Sequence, residues 1–413
     1  MKKLVFALVL TALASVSLAQ VPVGVNLELS GRFAVIGNAT LQGIEAALQQ
    51  SPMADMIDLS ICDNATTVEG SVACANRFVD EGVSAVIGSI STSMTIPAAE
   101  ILQDAGIVTV STSSTNPATT QIGDFIFRMA YTDDFQGRVA ADYATNELGA
   151  SSAIIFRQQD DDYSFGLAGF FDERFQELGG ETVIVDYTAN TVDFSAQIND
   201  ILGVPADVIY YSGFCAEGAS LIPALRAAGF DQQMLGADAA DDSQCPVGGG
   251  DAFNGFLFTG FGGSEVLEGE AAQRASDFEA FFRVAFPDAT DFNGFTLAGA
   301  DSFNVIAEAI SLADSMMMSD MSDMSEDMSE DMSEDMSEDM SDMSGDMMMG
   351  SSSIRDALAS LEGYPGVSGE ITYAGTDGTP AARTIAFFEY IVPADNEQGW
   401  ASEAQFGIST ASE

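Results

Sequence analysis

Ser84-Ala-Val-Ile-Gly-Ser-Ile-Ser-Thr-Ser-Met-Thr-Ile-Pro97 and Gly106-Ile-Val-Thr-Val-Ser-Thr-Ser-Ser-Thr-Asn-Pro117 share one pattern. Each segment begins with a short β-branched run that is typical of a buried strand, and then continues into serines and threonines that end near a proline. Neighbouring parallel strands would place both hydroxyl runs at the carboxyl edge of one sheet, where open α/β folds bind ligands. Backbone N–H groups and hydroxyls there can hold a small carboxylate without a cationic side chain. Either run alone could be an ordinary polar loop, but the pair favours a ligand site.

Strand-like and helix-like segments alternate on both sides of these runs. The predicted strands of the first unit are Val21–Leu29, Met56–Asp63, Val83–Gly88, Ile107–Val110 and Phe125–Arg128. The predicted helices between them are Gly37–Gln50, Thr67–Glu81 and Ile96–Ala105. This βαβ alternation indicates a parallel, doubly wound sheet.

The alternation restarts after residue 134. The second unit has predicted strands at Ser152–Arg157, Thr182–Tyr187, Val208–Tyr211 and Gln233–Gly236. Its predicted helices are Phe135–Leu148, Ser164–Leu178, Phe194–Leu202 and Ala216–Ala228, and two later helices are predicted at Asp291–Leu312 and Ser352–Leu361. Two similar α/β units predict two lobes with a cleft between them, a place that ligand sites favour.

The charge and composition of the chain exclude several classes of function. The chain has 63 acidic residues, 13 basic residues and no histidine, for a net charge of −50. Such acidity excludes ordinary binding of nucleic acid or anionic membranes, which needs a basic patch. Adaptation to salt and a bias of the lineage both remain open as its origin. The absence of histidine removes Ser-His-Asp and Cys-His catalysis and the usual catalytic zinc sites, so we predict no enzymatic activity, no metal and no cofactor.

The first 19 residues, Met1–Ala19, have the pattern of a secretory signal peptide. Two lysines precede an apolar stretch, and small residues stand before a cleavage site ahead of Gln20. We therefore expect an exported protein in the periplasm or another extracytoplasmic space. Both lysines of the chain lie in this segment, so the remainder carries eleven arginines against 63 acids, a net charge of −52.

Four cysteines, Cys62, Cys74, Cys215 and Cys245, are an even number in a chain with an export signal. Such a count favours disulfide bonds. Three pairings are possible, and free buried thiols are the alternative. We favour Cys62–Cys74 and Cys215–Cys245, because Cys62 ends a predicted strand and Cys74 lies in the helix that follows.

A segment of low complexity interrupts the chain at residues 314–350. Met324–Asp339 consists of four copies of Met-Ser-Glu-Asp, and methionines recur every three or four residues from Met318 to Met347. On a helix these methionines would form one apolar stripe, but like charges four residues apart oppose that helix. We expect a disordered insert; a helix stabilised by a partner or by cations, and a metal-buffering role of its thioethers and carboxylates, are the alternatives.

The quoted segments resemble the periplasmic leucine/isoleucine/valine-binding proteins of ABC importers, the branched-chain amino acid group of type I solute-binding proteins. The resemblance covers the chain after the signal peptide, except the insert. Its most specific parts are Ala85–Ser93 with Pro97, Ser111–Pro117, Tyr163–Gly166, Asp207–Gly213 with Ala227–Gly229, and Leu235–Asp238. It implies an α/β, type I periplasmic-binding-protein fold, in which two doubly wound parallel-sheet lobes are joined by a multi-strand hinge.

The resemblance also implies a pocket for an amino acid. The implied ligand-binding residues are Ile36, Ser91, Thr92, Ser113, Ser114, Thr115, Tyr163, Phe214 and Asp238. Hydroxyls at Thr92 and Thr115, with nearby backbone groups, would hold the ligand carboxylate, and Asp238 would accept its ammonium. Tyr163 and Phe214 would close over the ligand. Ordinary roles, such as an N-cap at Asp238, are the alternative for each position.

Three departures from the family leave the side chain of the ligand open. Asp238 is one methylene shorter than the usual glutamate, Phe214 lacks a tyrosine hydroxyl, and Ile36 replaces an aromatic residue. The expected function is capture of a branched-chain or other hydrophobic amino acid by cleft closure and its delivery to a membrane permease. The alternative is the same fold binding an amide, a urea-like compound or an aromatic acid, for uptake or sensing.

The resemblance also implies how the chain is divided. We expect a first lobe made of residues 20–130 and 263–370, and a second lobe made of residues 131–262 and 371–413. The expected partners are an amino acid ligand and an ABC permease in the membrane, and the expected state is a monomer.

Overall fold

The structure is a computed structural model that describes residues 20–289, 291–331, 350–391 and 401–411. The predicted signal peptide and residues 332–349 of the insert lie outside these ranges.

Five parallel strands form the first sheet. They are β1 (Val21–Leu27), β2 (Ile57–Asp63), β3 (Ala85–Gly88), β4 (Val108–Ser111) and β5 (Ile126–Arg128), in the order β2-β1-β3-β4-β5. β3 and β4 are neighbours, and every residue of both is buried. Because the strands are parallel, the two hydroxyl runs leave the sheet side by side at its carboxyl edge, as the sequence predicts.

A seven-stranded sheet forms the second half of the fold, and its order is β14-β13-β10-β9-β8-β6-β7. Its strands are β6 (Ser152–Gln158), β7 (Glu181–Tyr187), β8 (Val208–Ser212), β9 (Gln233–Gly236), β10 (Leu257–Phe261), β13 (Ala382–Ile391) and β14 (Ala401–Ala411). A separate hairpin joins β11 (Tyr364–Gly366) and β12 (Gly369–Ile371). The five strands β6 to β10 are parallel to one another, whereas β13 is antiparallel to both β10 and β14.

Helices cover these sheets, as the βαβ alternation predicts. They are α1 (Ala34–Gln50), α2 (Val68–Glu81), α3 (Thr92–Asp104), α4 (Asp133–Asn146), α5 (Asp162–Glu177), α6 (Ser195–Asp200), α7 (Cys215–Ala227), α8 (Gln244–Gly249), α9 (Gly269–Ala285), α10 (Gly294–Asp331) and α11 (Ser351–Ala359). The helices α8 and α9 and the strands β10 to β14 were not predicted from the sequence pattern. The antiparallel additions are held by pairing with distant strands, which leaves little trace in local periodicity.

The described elements support the proposed division into two lobes. The chain leaves the first sheet after β5 and builds β6 to β10 of the second sheet. It then returns to the first sheet, where α10 contacts α1, β3 and β4, before β13 joins the second sheet. We keep the lobe limits at residues 130, 262 and 370 as a proposal.

The start of α3 corrects one prediction. The sequence predicted a helix over Ile96–Ala105, but the helix begins at Thr92, with Ser91 in an extended conformation before it. Pro97 therefore lies inside the helix, although proline interiors are disfavoured because they remove a hydrogen bond. As a result, Thr92 is a residue of the first helical turn and not of a loop.

The insert also departs from expectation. α10 was predicted to end at Leu312, but its backbone is helical to Asp331, so residues 314–331 are not the disordered segment that we expected. The first part of the helix is anchored in the core, where Ala313 is buried, and the helix then leaves it, with Met316 and Met318 more than half exposed. Adding residues to an existing helix costs less than nucleating one, which offsets the repulsion between like charges.

Both favoured disulfide bonds are present. Cys62 at the end of β2 is bonded to Cys74 in α2, with their Cα atoms 5.8 Å apart. Cys215 at the start of α7 is bonded to Cys245 in α8, with Cα atoms 4.6 Å apart. The second bond ties the residue after Phe214 to a separate helix of the second lobe.

Two glycines allow α1 and α10 to cross closely. A Cβ atom at Gly43 would lie 2.0 Å from the carbonyl oxygen of Thr296, and one at Gly299 would lie 2.3 Å from that of Thr40. Real Cβ atoms cannot approach an oxygen so closely, so the two helices pack backbone to backbone at these positions.

We predict that Gly43→Ala lowers the free energy of unfolding by about 3 kcal/mol, because the new methyl group forces the two helices apart. Gly169→Ala in α5 is the matched control, since a Cβ there meets no atom within 4 Å. The control should raise the free energy of unfolding by about 1 kcal/mol, the usual gain when alanine replaces glycine in a helix. Urea denaturation of the three proteins measures both changes, and equal stability of Gly43→Ala and the wild type would contradict the close crossing.

Candidate functional site

A cavity lies where the carboxyl edges of the two sheets face each other. Its lining residues are Phe33, Ile36, Ile90, Ser91, Thr92, Ser113, Thr115, Tyr163, Phe214, Asp238, Ala239 and Phe295. Eight of the nine predicted ligand residues are among them. The cavity therefore brings together side chains from both predicted lobes.

Ser114 is the predicted residue that the cavity does not include. Its hydroxyl lies 3.2 Å from Thr92 Oγ1 and 2.8 Å from Thr119 Oγ1, and its N–H donates to Ser111 Oγ. These contacts lie inside the first lobe. These hydrogen bonds support the neighbours of Ser114, and a contact of Ser114 with the ligand stays a prediction.

The hydroxyl side of the cavity holds two donors without a partner. Ser91 Oγ and Thr115 Oγ1 are buried, and neither makes a hydrogen bond of normal geometry within the described part of the chain. Thr92 Oγ1, in contrast, already accepts from Ser114 Oγ and lies 3.5 Å from the N–H of Asn116. Because a buried hydroxyl without a partner is costly, Ser91 and Thr115 are well placed to donate to a ligand oxygen.

Arg128 holds the second hydroxyl run in place. Its guanidinium is fully buried at the end of β5 and donates to the carbonyl oxygens of Ser114, Asn116 and Pro117 and to Thr120 Oγ1. Burial lowers the pKa of Arg128 to about 10, so the side chain stays charged at neutral pH. The five N–H donors of a guanidinium have a fixed geometry, which suits several carbonyl oxygens of one loop. Arg128 thereby holds the loop that carries Thr115.

Glu28 holds the first hydroxyl run in a similar way. It directly follows β1, is fully buried, and accepts the N–H groups of Ile90 and Ser91, each at 3.2 Å. The acceptor lies at the N-terminal end of α3, where the helix dipole favours negative charge. Burial nevertheless raises the pKa of Glu28 to about 7. Sequence reasoning missed this residue, since a single acid after a strand has no local signature.

Asp238 provides the negative side of the cavity. Its Oδ1 accepts from Tyr163 Oη at 2.7 Å and from Gln136 Nε2 at 2.8 Å. Burial raises the pKa of Asp238 to about 6, and the hydrogen bonds from Tyr163 and Gln136 oppose that rise. The carboxylate is thus charged at neutral pH and fixed in orientation, and it can accept a cationic group.

Asp133 adds a second carboxylate that sequence reasoning missed. It is the first residue of α4 and is fully buried, and neither of its oxygens has a hydrogen-bond partner of normal geometry in the described residues. Burial raises its pKa well above the usual range, and the charge of Asp238 adds to that rise, whereas Thr115 and Arg128 lower it. In the sequence, Asp133 looks like an ordinary acidic residue of a first helical turn.

Aromatic rings form the remaining walls. Phe33 and Phe214 lie 4.4 Å apart between ring centroids, and Tyr163 and Phe214 lie 5.4 Å apart. Ile36 lines the cavity as predicted, but Phe33, three residues earlier, and Phe295 in α10 are aromatic lining residues that were not predicted. Although Ile36 replaces the aromatic residue of the family, Phe33 and Phe295 give the first lobe an aromatic wall.

The chain belongs to the periplasmic binding protein family, because the model of that family matches residues 20–396. An amino acid binding protein of Pseudomonas aeruginosa is 33% identical over 282 residues, which are 65% of this chain and 75% of that protein. The Leu/Ile/Val-binding protein homolog 2 of Brucella abortus is 28% identical over 315 residues, 74% of this chain and 83% of that protein. The predicted family is confirmed.

Solved structures of the same family share the fold. The leucine binding protein LivK of Thermotoga maritima has a TM-score of 0.79 at 24% identity, over 94% of this chain and 98% of that one. LivJ of Streptococcus pneumoniae, solved with isoleucine, has a TM-score of 0.75 at 21% identity, over 95% and 100% of the two chains. A solute binding protein of Rhodopseudomonas palustris, solved with 4-hydroxybenzoate, has a TM-score of 0.74 at 17% identity, over 95% and 98%. The predicted fold class is confirmed.

No helix in the described ranges is long and apolar enough to cross a membrane.

Burial of carboxyl groups near the cleft predicts an unusual dependence of stability on pH. Burial raises the pKa of Glu28 and Asp241 to about 7 and of Asp238 and Asp242 to about 6, above the ordinary pKa of 4.5 for glutamate and 3.8 for aspartate. Between these values the folded state holds protons that the unfolded state releases. The free energy of unfolding should therefore fall as pH rises from 5 to 8.

Urea denaturation at pH 5, 6, 7 and 8 and constant salt tests this expectation. The chain has no histidine, so no other side chain ordinarily titrates in this range. Glu28→Gln should flatten the dependence, since its raised pKa corresponds to about 3 kcal/mol at about 1.4 kcal/mol per pKa unit. A stability that is constant or rises with pH in the wild type would contradict the buried, proton-holding carboxyls.

Proposed function

We propose that this protein is an extracytoplasmic solute-binding protein that captures an amino acid with an apolar side chain. The observation that carries the proposal is the opposite polarity of two walls of one cavity. The hydroxyls of Ser91 and Thr115, neither with a hydrogen-bond partner of normal geometry in the described residues, lie on one side, and the carboxylate of Asp238 lies on the other. A zwitterion needs donors for its carboxylate and an acceptor for its ammonium, and this cavity supplies both.

The same walls assign a place to each part of the ligand. The ligand carboxylate would accept from Ser91 and Thr115, and its ammonium would donate to Asp238. The side chain would lie among the rings and aliphatic groups of the lining. A branched or other hydrophobic side chain suits such a wall, because burial of apolar surface supplies most of the binding energy.

An aromatic acid is the second candidate ligand. The relative of Rhodopseudomonas palustris was solved with 4-hydroxybenzoate, a ligand without an ammonium group, and the rings of Phe33, Phe214 and Phe295 would suit it. The carboxylate of Asp238 disfavours binding of an aromatic acid. Asp238 would face no cation, and like charges at close range in a buried site repel each other strongly. An amide or urea-like compound avoids that repulsion but leaves the hydroxyl wall without an anion.

Capture would proceed by closure of the two lobes. The hydroxyl wall belongs to the first lobe, and Tyr163, Phe214 and Asp238 belong to the second, so a ligand that contacts both favours the closed form by its differential affinity. The closed protein would be a monomer in the periplasm or another extracytoplasmic space and would deliver its ligand to an ABC permease. The hydroxyls have no histidine to activate them, so the site binds its ligand without chemical change.

We expect Asp238→Asn to weaken amino-acid binding by about 30-fold to 4,000-fold, because removing one partner of a buried charge pair costs about 2–5 kcal/mol. Calorimetry of ligand-free wild type against leucine, isoleucine, valine, phenylalanine, 4-hydroxybenzoate and urea identifies the ligand first. Asp134→Asn is the matched control, since Asp134 is the next residue after Asp133 and pairs with Arg138 on the surface. Unchanged affinity in Asp238→Asn, or binding of 4-hydroxybenzoate alone, would overturn the proposal.

A further inference from the structure

Arg32 connects the two lobes at the mouth of the cavity. It lies between β1 and α1 of the first lobe, and its Nη1 is 3.1 Å from Glu217 Oε1 in α7 and 3.2 Å from Gln158 Oε1 at the end of β6. The side chain of Glu217 is 1% exposed and that of Arg32 is 18% exposed. The contact is therefore an ion pair that is largely shielded from water and that exists only while the lobes are together.

The same guanidinium covers two of the rings that line the cavity. The Cζ atom of Arg32 lies 4.5 Å from the ring centroid of Phe33 and 5.0 Å from that of Phe214. Arg32 itself does not line the cavity, so it contacts the outer side of this aromatic pair. Arginine stacks well on aromatic rings, and the stacking is stronger where water is excluded.

Glu217 is held ready for this contact from its own lobe. Its Oε1 also accepts the N–H of Asn190 at 2.8 Å, and its Oε2 has no hydrogen-bond partner in the described residues. A buried carboxylate with so few donors depends on a cation for its stability. Opening the cleft removes that cation, so Glu217 favours the closed form as long as Arg32 is present.

The charge of the whole chain makes a cation at this position effective. Sixty-three acids against eleven arginines beyond the signal peptide leave both lobes negative, and their mutual repulsion opposes closure. Salt weakens that repulsion for exposed charges but screens a shielded pair much less. Arg32 thus supplies an attraction that persists at the salt concentrations at which the surface charges are screened.

We propose that Arg32 is a positioning residue that latches the closed cleft: its ion pair with Glu217 holds Phe33 and Phe214 together over the bound ligand and slows release. The part of the proposal that concerns the ligand rests on the proposed function. The latch acts through the rings, so it should change how long the closed form lasts more than how fast a ligand enters the open cleft. It should also keep part of the ligand-free protein closed.

We expect Arg32→Met to raise the release rate at least tenfold for the amino acid that binds the wild type most tightly, while the association rate changes less than threefold. The release rate of Arg32→Lys should lie between those of the wild type and Arg32→Met, because lysine keeps the charge but loses the planar stacking. Glu217→Gln should raise the release rate about as much as Arg32→Met does. The double variant should release the ligand no faster than either single variant, because both changes remove the same ion pair. Stopped-flow mixing of each protein with that amino acid measures both rates.

Arg157→Met is the matched control. Arg157 also combines an ion pair, 2.8 Å to Asp186, with stacking at 4.2 Å on Phe165, and its side chain is 15% exposed, but all three residues lie in the second lobe. The control should leave the release rate unchanged. Equal release rates for the wild type and Arg32→Met, or equal acceleration by Arg157→Met, would overturn the latch.

Small-angle X-ray scattering of the ligand-free proteins separates this proposal from the proposed function. Arg32→Met should have a larger radius of gyration than the wild type and Arg157→Met, because fewer molecules are closed. If no amino acid binds the wild type, the proposed function fails and scattering alone decides on the latch. A radius of gyration that Arg32→Met leaves unchanged would then overturn it.

Discussion

Two buried ionisable side chains hold the loops on which the rest of the site depends. Glu28 accepts backbone N–H groups just before α3, and Arg128 donates to the carbonyl oxygens of the loop after β4. Both are fully buried, so each pays a desolvation cost that its hydrogen bonds must offset. In return, the hydroxyls of Ser91 and Thr115 have fixed positions at the carboxyl edge of the first sheet.

The second lobe contributes the opposite charge. Asp238 is oriented by Tyr163 and Gln136, and Asp133 lies behind it without a hydrogen-bond partner of normal geometry in the described residues. Carboxylates are easily hydrated on the surface of this acidic chain, but the same groups in the cleft have raised pKa values because water is excluded. A ligand with an ammonium group relieves that cost. In the proposed function, this relief is the physical reason why the cavity would favour a zwitterion over a simple acid.

Closure brings these two walls together, and the seam between them has its own interactions. Arg32, Phe33 and Phe214 form one stack across the mouth of the cleft, and Glu217 completes it. Hydrogen bonds add to the seam: Ser93 donates to Asp161 at 3.0 Å, and Asn116 donates to the carbonyl oxygen of Asp162. In the proposed closure, the shielded cation of Arg32, aromatic contacts and hydrogen bonds together hold the cleft of this acidic protein shut.

The sequence by itself predicted the parallel sheets and favoured the two disulfide bonds that are present, and the family resemblance implied eight of the twelve residues that line the cavity. Alternating β-branched strands and helices are local patterns, and the hydroxyl runs after β3 and β4 must meet wherever those strands are neighbours. The tertiary structure alone decided that α3 begins at Thr92, that Ser114 turns away from the cavity, and that Glu28, Asp133, Phe33 and Phe295 face or support it. Burial, pKa and the partner across a cleft depend on residues far apart in the chain, so no local pattern of side chains can specify them.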